Sequence, residues 1–306
     1  MKSKTGITCK AVNVSSNIDL IWHLDICELG PLTCLNSTAP GYITLFLRSV
    51  MVSPESSDDE LIAFCLGGPP CRIVGGVQYG RLVVRISEKI VIKFGMGVSR
   101  HEADNQQRAY DLIDHDIVRI PRVHRFFTDE LGRGYIMMDY MEGEVVDPLE
   151  DSDRIKNVAR VLDHFSTITG DTPGSLSSGP CSGLLWPDTE DLTFENREKM
   201  EAWFNSRLFP GQGTTSFRNC DLVLCHLDIA PRNIIWQPDG TICLVDWESA
   251  GFYPRLFEFW AQWNIEGKDG AFNTLLLKSM KPLPDHESVQ KWPICRVWYN
   301  TQKYAL

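Results

Sequence analysis

The 306-residue chain reads as an α+β protein, a small antiparallel sheet followed by a mainly helical part. Three observations carry that reading. Runs rich in β-branched and aromatic residues, broken by Gly-containing turns, crowd residues 72–94 and 120–141. Beyond Gly143 the apolar period lengthens to three and four residues, as in helices with one buried face. The length is enough for one large core or two joined lobes.

Residues 1–50 fit neither pattern, since Gly, Pro, Ser, Thr and Asn are scattered through them without a sustained period. Met51-Val52-Ser53-Pro54 reads more like a natural start, so this stretch is either a disordered extension or a misassigned gene start. A short helix is expected over 59–65, then strands over 72–74, 82–86 and 90–94. Alternation in the third strand sends Ile92 and Phe94 to one face and Lys93 to the other. Residues 100–113 hold helix formers without Gly or Pro, with Glu102 in the first turn. Residues 120–127 and 135–141 pair across a turn at Gly132-Arg133-Gly134. Ile155, Val158, Ala159, Leu162 and Phe165 form a helical stripe, and 173–183 is loop. A further helix spans 194–208, its Met200, Trp203 and Phe204 read as core. Helices over 256–263 and 271–280 follow, and the last residues pack or fray.

Chemistry concentrates in one place. His226-Leu227-Asp228-Ile229-Ala230-Pro231-Arg232-Asn233 spells His-x-Asp-x-x-x-x-Asn, and Val245-Asp246-Trp247-Glu248 follows. Between them, Ile234-Ile235-Trp236 and the strand-like run 241–245 flank a turn at Gln237-Pro238-Asp239-Gly240. An antiparallel hairpin brings its open ends together, so Asn233 and Asp246 are expected side by side. Both offer the hard oxygen donors that Mg²⁺ prefers. The set suits phosphoryl transfer from a nucleotide to a hydroxyl, with Asp228 orienting and deprotonating the hydroxyl while Asn233 and Asp246 hold the metal. Each residue alone would pass for an ordinary loop residue; the joint spacing favours a site. His226 is expected to hold the loop by hydrogen bonds rather than to act as an acid or base.

These residues resemble the aminoglycoside phosphotransferase and choline kinase-like family, within the protein-kinase-like fold. The fungal-type branch tends to read His-x-Asp-x-x-Pro-Arg-Asn and then Asp-Trp-Glu-x-Ala-Gly-x-Tyr-Pro, matched here by Asp246 to Pro254. The likeness covers about 58–306. It implies a two-lobed α+β fold: a small antiparallel-sheet N-lobe over 58–141 and a mainly helical C-lobe over 142–306, with 1–57 an irregular extension. It also implies that Lys93 clamps ATP phosphates, that Glu102 positions Lys93, and that the Asp139 carbonyl and Met141 N–H meet the adenine edge. Plainer readings stand beside these: Lys93 as a solvent-facing strand residue, and Glu102 as an acid favoured by the helix dipole.

There are departures from the family pattern. Leu227 replaces the usual Gly or Arg, and Trp247-Glu248 replaces the Phe-Gly of protein kinases. Gly75, Gly76 and Gly80 do not spell Gly-x-Gly-x-x-Gly, so they serve either tight turns or phosphate contact. Arg232 reaches the phosphoryl group or substrate, or else pairs with an acid such as Glu248 or Glu258.

A net charge of −10 disfavours nucleic acid and anionic membrane as partners. The ten cysteines include no Cys-x-x-Cys pair, which fits a reducing compartment such as the cytoplasm. The apolar stretch at 42–52 is interrupted by Arg48 and too short to span a bilayer, and no signal peptide is visible. The leading expectation is an ATP- and Mg²⁺-dependent phosphotransferase acting on a small-molecule hydroxyl. The alternative is a catalytically weak, kinase-shaped nucleotide-binding or scaffold protein. A protein kinase fits less well, because Ala230 stands where such enzymes place Lys and no Ala-Pro-Glu follows Asp246. Glu142, Glu144 and Asp147 either attract a cationic acceptor or are simply solvated. Acceptor identity and oligomeric state are not written in the chain.

Overall fold

The computed structural model describes residues 52–67, 72–77, 80–187, 190–264 and 269–304. They belong to one compact unit, Ser49–Leu306. The expected irregular extension, up to residue 51, and the apolar stretch at 42–52, up to the same residue, lie outside the described residues.

Five antiparallel strands form the first sheet: β1 (Ile73–Gly76), β2 (Leu82–Arg85), β3 (Ile90–Gly95), β4 (Val123–Thr128) and β5 (Gly134–Asp139), in the order β1-β2-β3-β5-β4. Alternation gives the sheet two apolar faces. Ile90, Ile92 and Phe94 meet Leu61, Phe64 and Cys65 of helix α1 (Asp58–Gly67). Val91, Ile136 and Met138 meet Ala103 of helix α2 (Arg100–Leu112). Helix α2 starts where the Ser99 hydroxyl accepts the Glu102 N–H at 3.1 Å. Ser99-x-x-Glu102 has the capping-box spacing, yet the Glu102 side chain turns away to Lys93.

The second half is mainly helical: α3 (Ser152–Phe165), α4 (Arg197–Ser206), α5 (Leu256–Asn264), α6 (Gly270–Ser279), α7 (Asp285–Ser288) and α8 (Lys291–Tyr304). The stripe expected on α3 is buried, and its core includes Ile234, Leu244, Trp247 and Phe272. Met200 and Phe204 of α4 lie in a second core with Trp186, Phe257 and Trp260. The hairpin of β8 (Ile234–Trp236) and β9 (Ile242–Leu244) pairs as expected, with Gly240 N–H closing the turn onto Gln237 at 2.9 Å.

Some elements differ from expectation. Helix α4 begins after Phe194, because Asn196 caps it by accepting the Lys199 N–H. The loop at 173–183 contains β6 (Gly174–Ser175), which joins β10 (Gly251–Pro254) and β7 (Leu222–Cys225) in a small sheet. Of the two outcomes expected for the last residues, packing holds for helix α8, which buries Ile294 and Val297 in the second core. Pro293 sits in its first turn, where a missing N–H costs no helical hydrogen bond.

Candidate active site

The segment leaving β7 is held from beneath. His226 is fully buried; its Nε2 lies 3.2 Å from the Val245 carbonyl, and its Nδ1 accepts the Asp228 N–H at 3.2 Å. That pattern requires a neutral ring with the proton on Nε2. Burial pushes the imidazole down to about 4. His226 therefore braces the loop, as its sequence context predicts. Leu227 follows with φ of 63°, a left-handed conformation that costs a branched residue about 1–2 kcal/mol. The position where the resembling family places Gly or Arg is thus backbone-strained here. Glu258 of α5 pins it: Oε2 accepts the N–H of His226 at 2.7 Å and of Leu227 at 3.1 Å.

This arrangement presents Asp228 toward Asn233 and Arg232. The Asn233 amide donates to the Asp228 carbonyl and to its Oδ2, both at 2.8 Å. Arg232 donates to Oδ1 at 2.5 Å and reaches Asp269 at 3.3 Å. Arg232 thus does make ion pairs, but with these two acids rather than Glu248 or Glu258. The i,i+4 spacing across the 3-10 turn Pro231–Asn233 explains the first of them. Burial raises the Asp228 pKa against the opposing pull of Arg232.

Asn233 and Asp246 meet at the open end of the hairpin, where Val245 N–H donates to the Asn233 carbonyl at 3.1 Å. Asp246, at φ of 67°, turns its Oδ1 to Lys93 Nζ at 3.2 Å. Lys93 also donates to Glu102 Oε1 at 2.5 Å. The side chain of Lys93 is only 12% exposed, so it is not a solvent-facing strand residue. Burial works against its charge, yet Glu102 and Asp246 together hold its pKa above the ordinary lysine value. Burial likewise works to raise Asp246, but the surrounding positive charge, Lys93 foremost with Arg81 behind it, holds the carboxyl below its ordinary value. Asn233 Oδ1 and Asp246 Oδ2 have no hydrogen-bond partner among the described residues. Two free, hard oxygens at adjoining positions fit a Mg²⁺ ion.

The other expected residues are placed as follows. Asp139 ends β5 and spends its carboxylate on His124 at 2.7 Å and the Arg122 N–H at 3.2 Å. The Met141 N–H has no partner among the described residues. Gly76 has φ of 97°, and a Cβ there would lie 2.2 Å from the Arg81 carbonyl, so the β1–β2 turn itself requires glycine. Glu144 is exposed and paired with Arg154 at 3.0 Å.

The roles of three residues escaped the sequence reading. Asn105 is fully buried one turn after Glu102. Its amide nitrogen reaches the carbonyls of Trp247 (3.3 Å), Glu248 (3.0 Å) and Ala250 (3.3 Å), and its oxygen accepts from Ser175 and Ser177. Arg81 pairs with Glu248 at 2.6 Å. Glu258 had a visible signal, an acid inside the apolar run Leu256-Phe257-Glu258-Phe259-Trp260. Asn105 and Arg81 had none, because the contacts that tie them to the segment after Asp246 span more than 140 residues of sequence.

Comparison with known proteins adds independent findings. The family described as "Phosphotransferase enzyme family" matches residues 73–291, well over half of the chain. No curated protein matches the sequence. Among solved structures, a thermostable mutant of aminoglycoside phosphotransferase APH(4)-Ia, in ternary complex with ADP and hygromycin B, superposes with a TM-score of 0.53 at 14% identity, covering 82% of this chain and 91% of that one. Choline kinase LicA from Streptococcus pneumoniae gives 0.41 at 14% identity, over 81% and 92%. A fructosamine-3-kinase-like protein from Haemophilus somnus gives 0.47 at 13%, over 73% and 80%. The APH(4)-Ia likeness establishes the kinase-like α+β fold.

Proposed function

Because the chain belongs to the phosphotransferase enzyme family, as its match over residues 73–291 shows, we propose that it transfers the γ-phosphoryl group of ATP to a hydroxyl of a small molecule. The observation that carries this reading is the meeting of Lys93, Glu102 and Asp246 beside the Asp228–Asn233 pair. These are the groups that such a transfer needs, drawn from four separate elements of the chain.

Asp228 orients the acceptor hydroxyl and takes its proton as the new O–P bond forms. The bond from the γ-phosphorus to the β–γ bridging oxygen breaks, and ADP leaves. Lys93, kept charged by its two carboxylates, clamps the nucleotide phosphates, and Glu102 fixes its position. Asn233 and Asp246 would hold Mg²⁺, which neutralises charge on the phosphates when bound. The Asp139 carbonyl and the unpartnered Met141 N–H are assigned to the adenine edge. The ADP complex of APH(4)-Ia is in keeping with ATP as the donor. The buried free thiols of Cys65, Cys181, Cys220, Cys225 and Cys243 fit a reducing compartment, here assigned as the cytoplasm.

Calorimetry with Mg-ATP separates the roles. Asp246→Ala should abolish Mg²⁺-dependent tight binding, whereas Asp228→Ala should largely retain it. Asp228→Asn should lower turnover by about 10²–10⁴-fold, the usual contribution of a general base. Equal loss of nucleotide affinity in the Asp228 and Asp246 variants would undo the assignment.

A further inference from the structure

A pocket of about 650 Å³ opens between α5, α6 and α8. That volume lies within the range of small-molecule sites. Trp263, Trp292, Leu277 and Val289 supply apolar surface, Gln262 and Thr274 supply neutral polar groups, and none of the described lining residues is acidic. Lys291 is the one charged residue among the described lining residues, with its ammonium 4.3 Å from the Trp263 ring centroid.

Two contacts tie this pocket to Asp228. Gln262 donates its Nε2–H to the carbonyl of Ile229, the residue after Asp228, at 3.2 Å. Asp269, immediately before the lining residue Gly270, holds Arg232, and Arg232 holds Asp228. The base and the pocket wall thus share supports. A second feature points to a ligand: Gln262 is 2% exposed, and its Oε1 has no hydrogen-bond partner among the described residues. A buried carbonyl oxygen without a donor carries a desolvation cost that a ligand hydroxyl would remove.

We propose that this pocket is the acceptor site, and that it selects an uncharged alcohol with a flat or apolar body over a polycation. The inference rests on the phosphotransferase reading. A polycationic acceptor needs carboxylates around it, and among the described lining residues the single charge it would meet is the positive one of Lys291. A planar or apolar body instead gains contact with two indoles, of which Trp292 is 60% exposed. The acids Glu142 and Glu144 line a different cavity, with Trp236 and Pro238, and so do not alter the charge of this one.

The test uses the full chain, with naphthylethanol as the neutral probe and kanamycin as the polycation, both titrated calorimetrically without nucleotide. Wild type should bind naphthylethanol and not kanamycin. Trp292→Ala and Leu277→Lys should each weaken naphthylethanol binding by about tenfold or more. Both variants should keep Mg-ATP affinity within about twofold, which also verifies folding. Preferential binding of kanamycin, or naphthylethanol binding unaffected by both substitutions, would overturn the proposal. So would absence of naphthylethanol binding in a preparation that binds Mg-ATP. Failure of Mg-ATP to bind while the probe behaves as expected would instead remove the phosphotransferase reading, and with it the pocket's role as an acceptor site.

Discussion

Arg232 shows how one side chain sets the working range of another. It is the nearest cation to Asp228, and its charge opposes the rise in pKa that burial imposes on that carboxyl. A base must be ionised to accept a proton, so the acidic limb of kcat/KM against pH should lie above the ordinary aspartate range. Arg232→Met removes the opposing charge and retains much of the aliphatic stem. The limb should then move to higher pH, while the plateau falls less than in Asp228→Asn. A limb that stays in place would show that Arg232 does not set the ionisation of Asp228. At this scale the sequence was most legible where spacing is local. Asp228, Asn233 and Asp246 fall within one loop and hairpin, so their meeting follows from strand geometry. Of the partners of Arg232, Asp269 was not legible because it lies 37 residues on, at the cap of α6, where no local spacing links the two.

Elements explain how a strained loop persists. Leu227 adopts a left-handed backbone only because α5 supplies Glu258 beneath it and His226 ties the loop to Val245. Burial raises the Glu258 carboxyl to about 7, and two backbone N–H groups pull against that shift. The folded value lies above the unfolded value near 4.5, so its contribution to stability is fully present below pH 4.5 and is lost as pH rises through about 7. By this linkage the swing is roughly 3 kcal/mol. Glu258→Gln keeps a carbonyl oxygen for the two N–H groups but does not titrate. Its melting temperature relative to wild type should therefore climb between pH 5 and 8, and a difference that is flat across that range would contradict the ionisation assigned to Glu258. Glu258→Ala should destabilise at every pH, since it leaves two buried donors unpaired. Helices and strands of the first sheet were readable from periodicity. The β6, β10 and β7 sheet was not, because two- and four-residue strands from distant segments carry no period of their own.

Across the whole molecule, catalytic geometry depends on how the first sheet and α2 sit against the helical part. Lys93 and Glu102 come from one side of the cleft, and Asp228, Asn233 and Asp246 from the other. Two ion pairs cross between the two sides: the partly exposed Arg81–Glu248 pair contributes about 0–1 kcal/mol, and in the more buried Lys93–Asp246 pair the cost of desolvating the charges offsets their attraction. Asn105 is the stronger link because it is buried and fully engaged. It joins α2 to the carbonyls after Asp246 and to β6, and it lies on the same helix as Glu102. Asn105→Ala would leave buried carbonyls and the Ser177 N–H without their partner, a loss of roughly 1–3 kcal/mol. It would also free α2 to shift relative to Asp246, so Mg-ATP affinity should fall by about tenfold even at temperatures where the variant is folded. Melting curves and Mg-ATP titrations on the same preparation separate the two effects. A variant that melts early yet binds Mg-ATP as tightly as wild type would show that Asn105 stabilises the fold without setting the distance between Glu102 and Asp246. Loss of both would place the alignment of the cleft on a single buried amide.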